Sequence, residues 1–198
     1  MTARIIWLGG SDPVAMEAHV RRIVPEAEFT LETFPVADWN RDLSPWESPA
    51  VFGDEAFSGG GAATLARLEA LLGGQPAYLA GYSLAGLFAL WAMCECPLIR
   101  GVACCSPSLW FPGWEDYAQA HPLPEDRMLY LSLGMKEERT RHPVMRRVGD
   151  AVRREHERAA HLAARQLTWY PGGHFTDPEG SVAQGIAWVV AMASGTDA

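Results

Sequence analysis

Short apolar runs alternate with amphipathic stretches along this chain. Residues 5–8, 29–34, 77–82, 102–105, 128–133 and 167–170 are runs of strand length. Between them lie helical patterns. One covers 13–24 and opens on Asp12-Pro13, a capping residue followed by proline at the first helical position. A second covers 64–72, with Leu65, Leu68 and Leu72 on one side and a stop at Gly73-Gly74. A third places Leu84, Leu87, Phe88 and Trp91 on one face. A long arginine-rich pattern fills 144–166, and Asp177-Pro178 caps a last helix carrying Val182, Ile186, Val189 and Val190. The stretch 35–61 is rich in Pro, Gly, Trp and Asp and reads as irregular. Strand and helix in alternation predict an α/β fold of three layers, with a mostly parallel sheet of about six strands and helices on both faces. The strand at 29–34 has one partly wet face, as Glu28 and Glu32 suggest. No repeat or linker divides residues 1–198, so one domain is expected.

One segment departs from plain alternation. The apolar run Ala77–Tyr82 meets a helix at Ser83 with no residues left over for a loop. A strand that becomes a helix across one serine must turn sharply, which strains the serine backbone and presents its hydroxyl at the tip. Strand and helix then pass close together, and only very small residues fit. Gly81, Ala85 and Gly86 meet that need. This is the mechanical content of a nucleophile elbow, with Ala85 standing where the usual pattern G-x-S-x-G has its last glycine. The plain alternative is a polar turn before an ordinary helix. The strand before Ser83 and the helix after it favour the elbow.

Composition narrows the classes. The chain has 198 residues, 48% of them hydrophobic and 20% charged, enough for a proper core. Its 24 acidic and 16 basic residues give a net charge of −8, which argues against nucleic acid or an anionic membrane as partner. No apolar run has membrane-spanning length. Residues 1–4 lead straight into a strand without an apolar leader, so a cytoplasmic location is expected. Cys94, Cys96, Cys104 and Cys105 match no zinc or redox spacing. Adjacent cysteines in a strand point to opposite faces, and all four read as small core residues in a reducing compartment. No cofactor or metal is implied.

A serine nucleophile needs a base, a group to orient that base, and donors for the oxyanion. In open parallel sheets such groups gather beyond the carboxyl ends of the strands. His174 follows the last strand, and Gly172-Gly173 let its loop approach Ser83. His156 falls in the apolar stripe of the long helical pattern and reads as structural; the remaining histidines lie on helices or before prolines. For the acid, Glu137 follows the fifth strand and is preferred, with Glu138 as alternate. Asp177 is the rival, although it already suits an N-cap. The amide of Leu84, at the head of the elbow helix, is one expected oxyanion donor. Gly10, in the loop after the first strand, is the other. Trp39, Trp46, Trp110 and Trp114 are expected on loops at this end of the sheet. There Trp46 and Trp110 either line an acyl pocket or pack the loops down.

Four motifs now stand in order: Gly81-Tyr82-Ser83-Leu84-Ala85-Gly86, Ser106-Pro107-Ser108-Leu109-Trp110, Leu131-Ser132-Leu133-Gly134 ahead of Glu137, and Gly172-Gly173-His174. Together they resemble an esterase group of the alpha/beta-hydrolases, one that includes siderophore-ester hydrolases and S-formylglutathione-hydrolase-like enzymes. The resemblance implies a cofactor-free serine hydrolase of small-molecule esters or thioesters. Ser83 would be the nucleophile, His174 the base, and the acid would lie at or near Glu137. The first strand already carries the oxyanion-loop position, so about six strands are expected rather than the group's eight. Without a long cap insertion the site should be open and shallow, which weakens transfer of the larger enzymes' substrates. An acyltransferase would use the same three residues. A silent binding protein on a hydrolase scaffold is the reading from another class. Oligomeric state is left open.

Overall fold

The computed structural model describes residues 2–51 and 53–195; Met1 and Phe52, both inside stretches discussed above, lie outside the described residues. Six strands form one fully parallel sheet: β1 (Ala3–Leu8), β2 (Phe29–Phe34), β5 (Ala77–Tyr82), β6 (Ile99–Cys105), β7 (Met128–Gly134) and β8 (Ala164–Tyr170). Their spatial order is β2-β1-β5-β6-β7-β8. The chain therefore builds outward in one direction from β1 to β2, then returns to β1's other side and builds outward again from β5 to β8. The reversal leaves a crevice between the ends of β1 and β5, and Ser83 sits at it.

Helices cover both faces. α1 (Pro13–Ile23) and α7 (Pro178–Ala193) lie on one side, packed on Ile5, Trp7, Ala80, Ala103, Cys105 and Tyr130. The other side carries α3 (Gly61–Leu72), α4 (Leu84–Glu95), α5 (Trp114–Ala120) and α6 (Val148–Arg158), which close over Ile6, Leu8, Leu79, Cys104 and Leu131. The alternation of strand side chains between these two cores is the period-two rule seen directly: Ile5 and Trp7 face one, Ile6 and Leu8 the other. Cys104 and Cys105 part in the same way. All four cysteines are free thiols. α7 approaches the sheet closely enough that a Cβ on Gly185 would stand 2.9 Å from that of Ala103.

The caps behave as their residue types dictate. Asp12 accepts from the Ala15 amide at 2.9 Å, and Asp177 accepts from the Gly180 amide at 3.0 Å, each ahead of a proline. Gly73, at φ 57, closes α3 in the left-handed region.

The structure differs from the sequence pattern in four places. The helix expected to run to residue 166 ends at Arg158. A single turn of 3-10 helix follows (Ala159–His161), and residues 164–166 join β8. Their pairing with β7 begins at Met128↔Ala164, so the ladder's hydrogen bonds take residues that helical periodicity alone would have kept. The stretch 35–61 holds a short helix, α2 (Trp39–Asp42), and a two-residue antiparallel ladder between β3 (Glu47–Ser48) and β4 (Phe57–Ser58). α4 is buried around its whole circumference from Leu84 to Met93, because α3 and α5 enclose the side turned from the sheet. Trp39 is not on a loop but opens α2, and Trp114 is not on a loop either. It opens α5, is 2% exposed, and its indole N–H donates to Glu155 Oε2 at 3.1 Å. Burial pushes the Glu155 carboxyl up, against the pull of Arg158 and the Trp114 bond.

Candidate active site

β5 delivers Ser83 to the crevice and α4 starts on the next residue. The turn between them forces φ 57 and ψ −120 on Ser83, a conformation that side-chain-bearing residues rarely adopt. The closeness that makes this turn possible is measurable at Gly81, where an added Cβ would stand 2.4 Å from the Ala85 carbonyl oxygen. At Gly86 it would stand 3.1 Å from Pro107 Cβ. Ala85 is fully buried in the gap, so alanine serves at the position where the usual pattern has glycine.

His174 reaches the same crevice from the loop after β8. Its Nε2 lies 3.1 Å from Ser83 Oγ and its Nδ1 lies 2.8 Å from Glu137 Oε2. Glu137 stands three residues beyond the end of β7. The structure therefore brings Ser83, His174 and Glu137 into one hydrogen-bonded line. It brings neither of the other candidate acids to His174. Glu138 is held by Arg153 through two contacts at 2.9 and 3.1 Å, and Asp177 is occupied as the cap of α7.

Glu137 is unusually well supplied with donors. Its side chain is 6% exposed. Oε1 accepts from the Gly134 amide at 2.8 Å, from Ser106 Oγ at 2.7 Å and from the Tyr170 hydroxyl at 3.1 Å. Burial works against the charge. The bonds from His174, Ser106 and the Gly134 amide outweigh it and hold the carboxyl below its usual range. Ser106, at φ 44, is the second non-glycine residue with a positive φ. Its hydroxyl also meets that of Tyr170, which lies 3.1 Å from the hydroxyl of Tyr82. Tyr82 in turn donates to the carbonyl of His174 and pins the histidine loop. Burial pushes both phenols up, so they remain donors. Ser108 adds a contact on the far side of the nucleophile: its Oγ lies 3.3 Å from Ser83 Oγ, and its amide donates to the Ser83 carbonyl at 3.1 Å.

Sequence reasoning assigned no part to Ser106, Ser108, Tyr82 or Tyr170. The string Ser106-Pro107-Ser108 was visible, but its use depends on the adjacency of β6 to both β5 and β7. The tyrosines looked like ordinary strand residues.

The remaining candidates are placed as follows. Leu84 is the first residue of α4, so its amide has no acceptor within the helix. Gly10 lies against Trp7, where an added Cβ would meet the indole at 2.1 Å, and the neighbouring Gly9 turns at φ 72 beneath the ring of Trp39. Trp46 is half-buried and spans the loop after β6: its indole N–H donates to the Pro112 carbonyl at 2.9 Å and its ring packs on Phe111 and Tyr117. Trp110 is half-buried with its ring 6.3 Å from that of Phe57. A groove of about 1090 Å³ lies elsewhere, beside α7 and β8, with Tyr130, Thr168 and Trp188 among its walls. It touches the site only through Tyr170.

Among the described residues, no group of three or more His, Cys, Asp or Glu side chains is arranged to hold a metal ion, and no helix is long and apolar enough to cross a membrane.

Comparison with known proteins adds the fold. No protein-family model and no curated protein sequence matches the chain. Solved structures do. The siderophore hydrolase EstA from Aspergillus nidulans superposes with a TM-score of 0.76 at 17% identity, over 96% of this chain and 83% of that one. An IroE-like serine hydrolase from Shewanella oneidensis gives 0.77 at 16% identity, over 96% and 70%. The enterobactin esterase FES from Shigella flexneri gives 0.68 at 16% identity, over 98% of this chain but 54% of that one. The chain shares with them the alpha/beta-hydrolase fold, in a form whose sheet, among the described residues, has six strands.

Proposed function

We propose that this protein is a serine hydrolase that cleaves a carboxylic ester or thioester of a small molecule through an acyl-enzyme on Ser83. One observation carries the reading: a half-buried serine at φ 57 lies 3.1 Å from an imidazole nitrogen whose partner nitrogen lies 2.8 Å from a buried carboxylate. Solved neighbours named as a siderophore hydrolase and an enterobactin esterase share the fold and support an ester as substrate.

The chemistry follows from the residues. Ser83 Oγ attacks the acyl carbon while His174 Nε2 takes its proton. The carbonyl oxygen becomes an oxyanion, facing the amides of Leu84 and Gly10. Glu137 keeps Nδ1 protonated and stabilises the imidazolium as it forms. Collapse breaks the bond to the alcohol or thiol, which leaves with the proton from Nε2. Water then attacks the acyl-Ser83, giving its proton to His174, and collapse releases the acid as Nε2 returns that proton to Ser83 Oγ. Every step uses groups of this chain and water alone. Donors fixed before reaction supply most of the acceleration in such sites, because no solvent has to reorganise around the developing charge. In this reading the half-buried rings of Trp46 and Trp110, which pack on Phe111 and Phe57, supply the walls of the acyl pocket.

The test is covalent labelling with a fluorophosphonate, read by intact mass, on wild type, Ser83→Ala and His174→Ala. Labelling of wild type that disappears in both variants is expected. A folded wild type that takes up no label would overturn the reading and leave a binding protein on a hydrolase scaffold. Short and long acyl esters and thioesters then define the acyl preference.

A further inference from the structure

The cations of this chain are unevenly used. Every arginine outside residues 136–147, Arg22 excepted, makes an ion pair or donates to a carbonyl oxygen or histidine. Inside that segment the pattern reverses. Lys136, Arg139, Arg141, Arg146 and Arg147 are five of the chain's 16 cations, all are exposed, and none makes an ion pair among the described residues. The only acids in the segment are engaged elsewhere, Glu137 with His174 and Glu138 with Arg153. The segment is thus an uncompensated basic patch on a protein of net charge −8.

Its position is specific. The segment is the chain that follows β7, and it carries Glu137 itself. The Lys136 amide donates to the Gly172 carbonyl at 2.9 Å, and the Met135 amide donates to the Tyr170 carbonyl at 3.0 Å. Lys136 Cβ lies 3.9 Å from where a Cβ on Gly173 would stand, one residue before His174. Arg139 ends the first 3-10 turn (Glu137–Arg139), and Arg146 and Arg147 belong to the second (Met145–Arg147), which packs against it. Five like charges over twelve residues repel one another and lower stability, so the fold gains nothing from them. A local positive field on the segment that carries Glu137 and touches the His174 loop, within a chain that otherwise repels anions, has one evident use.

Resting on the hydrolase reading, we infer that residues 136–147 form an anion-binding rim, and that the substrate is an ester or thioester bearing carboxylate or phosphate oxygens close to its scissile bond. Arginine forks and a lysine ammonium on exposed side chains suit such oxygens. Met135 and Phe175, 45% and 87% exposed, stand beside the cations and offer apolar surface to the rest of the molecule. The rim acts on encounter and orientation and leaves the bond-making steps to Ser83 and His174.

The test compares labelling rates for matched fluorophosphonates that differ only at the end of a short tail: a carboxylate, a phosphate, or the uncharged methyl ester of the carboxylate. At low ionic strength at least one anionic probe should label wild type about tenfold faster than the neutral one. That ratio should fall towards one in about 0.5 M salt, where the Debye length is a few ångströms. In Lys136→Gln/Arg139→Gln/Arg141→Gln the ratio should drop to near one without salt, while the melting temperature holds or rises as repulsion is relieved. The better of the two anionic probes distinguishes carboxylate from phosphate chemistry. Labelling of wild type at equal rates by all three probes overturns the rim and spares the hydrolase reading. No labelling by any probe removes both.

Discussion

Ser83 holds φ 57 and ψ −120 in the folded chain, and this strain can be weighed without any substrate. A residue with a Cβ in such a conformation costs of order 1–3 kcal/mol. Glycine escapes that cost but gains conformational freedom on unfolding, worth about 0.5–1 kcal/mol relative to alanine. Ser83→Ala and Ser83→Gly both remove the hydroxyl together with its contacts to His174 at 3.1 Å and Ser108 at 3.3 Å, so those losses cancel between them. What remains is backbone. Ser83→Gly should be the more stable variant by roughly 0.5–2 kcal/mol. For a chain of this size each kcal/mol moves the melting temperature by about 2–4 °C, so the gap should be about 1–8 °C. Differential scanning calorimetry on both variants measures it, with denaturant m-values as a check that the unfolded states match. Equal melting temperatures, or alanine above glycine, would refute the argument that the turn at Ser83 is strained. Ser106, at φ 44, offers a second case: Ser106→Gly should likewise exceed Ser106→Ala.

Other expectations follow from the same geometry. Glu137→Gln should lower ester turnover by about 10³–10⁴-fold, since an amide at that position no longer fixes the working tautomer of His174, whereas Glu138→Gln should lose little; comparable losses in steady-state assays of the two would contradict the assignment. Glu137 is held below the usual carboxylate range, so its stabilising bonds count in full above the unfolded carboxyl's pKa, about 4.3, and fade as pH falls through the folded value. The difference in urea stability between wild type and Glu137→Gln should therefore narrow on acidification below that pH, and a difference that stays constant would speak against the depression. Asp177→Ala should cost about 1 kcal/mol through the lost cap of α7 while Ser83 still takes up fluorophosphonate; loss of labelling in a folded variant would give Asp177 a part that the structure denies it.

Much of the fold was readable from the chain because its local signals agreed with its tertiary demands. The runs at 29–34 and 77–82 became strands with those same limits, and Asp12-Pro13 and Asp177-Pro178 capped helices as their chemistry requires. Glu137 could be preferred from the chain because it follows the fifth strand as His174 follows the last, but choosing it over Glu138 and Asp177 takes the geometry, in which those two are engaged elsewhere. Failures cluster where long-range pairing decides. Residues 164–166 carry a helical pattern, yet β7 needed a partner of matching length. α2 and α5 are too short for periodicity to reveal them. Ser106, Ser108, Tyr82 and Tyr170 carry no legible role in the sequence because a hydroxyl's value depends on what another strand places beside it. Nothing in a linear reading says that Tyr170 stands opposite Tyr82.

The state of the four cysteines has a practical outcome. Burial pushes the thiols of Cys94 and Cys105 up to about 12 and raises those of Cys96 and Cys104. Near neutral pH almost no thiolate is present, and maleimides or iodoacetamide find little to attack. Three of the four are buried and only Cys94 is partly exposed, so the native protein offers a low background for thiol chemistry. A single Phe175→Cys replacement, at a side chain 87% exposed and with its ring 4.9 Å from that of His174, would accept one dye at the mouth of the crevice. Acylation and deacylation of Ser83 could then be followed as a change in fluorescence from one reporter, with no native cysteine removed to make room for it.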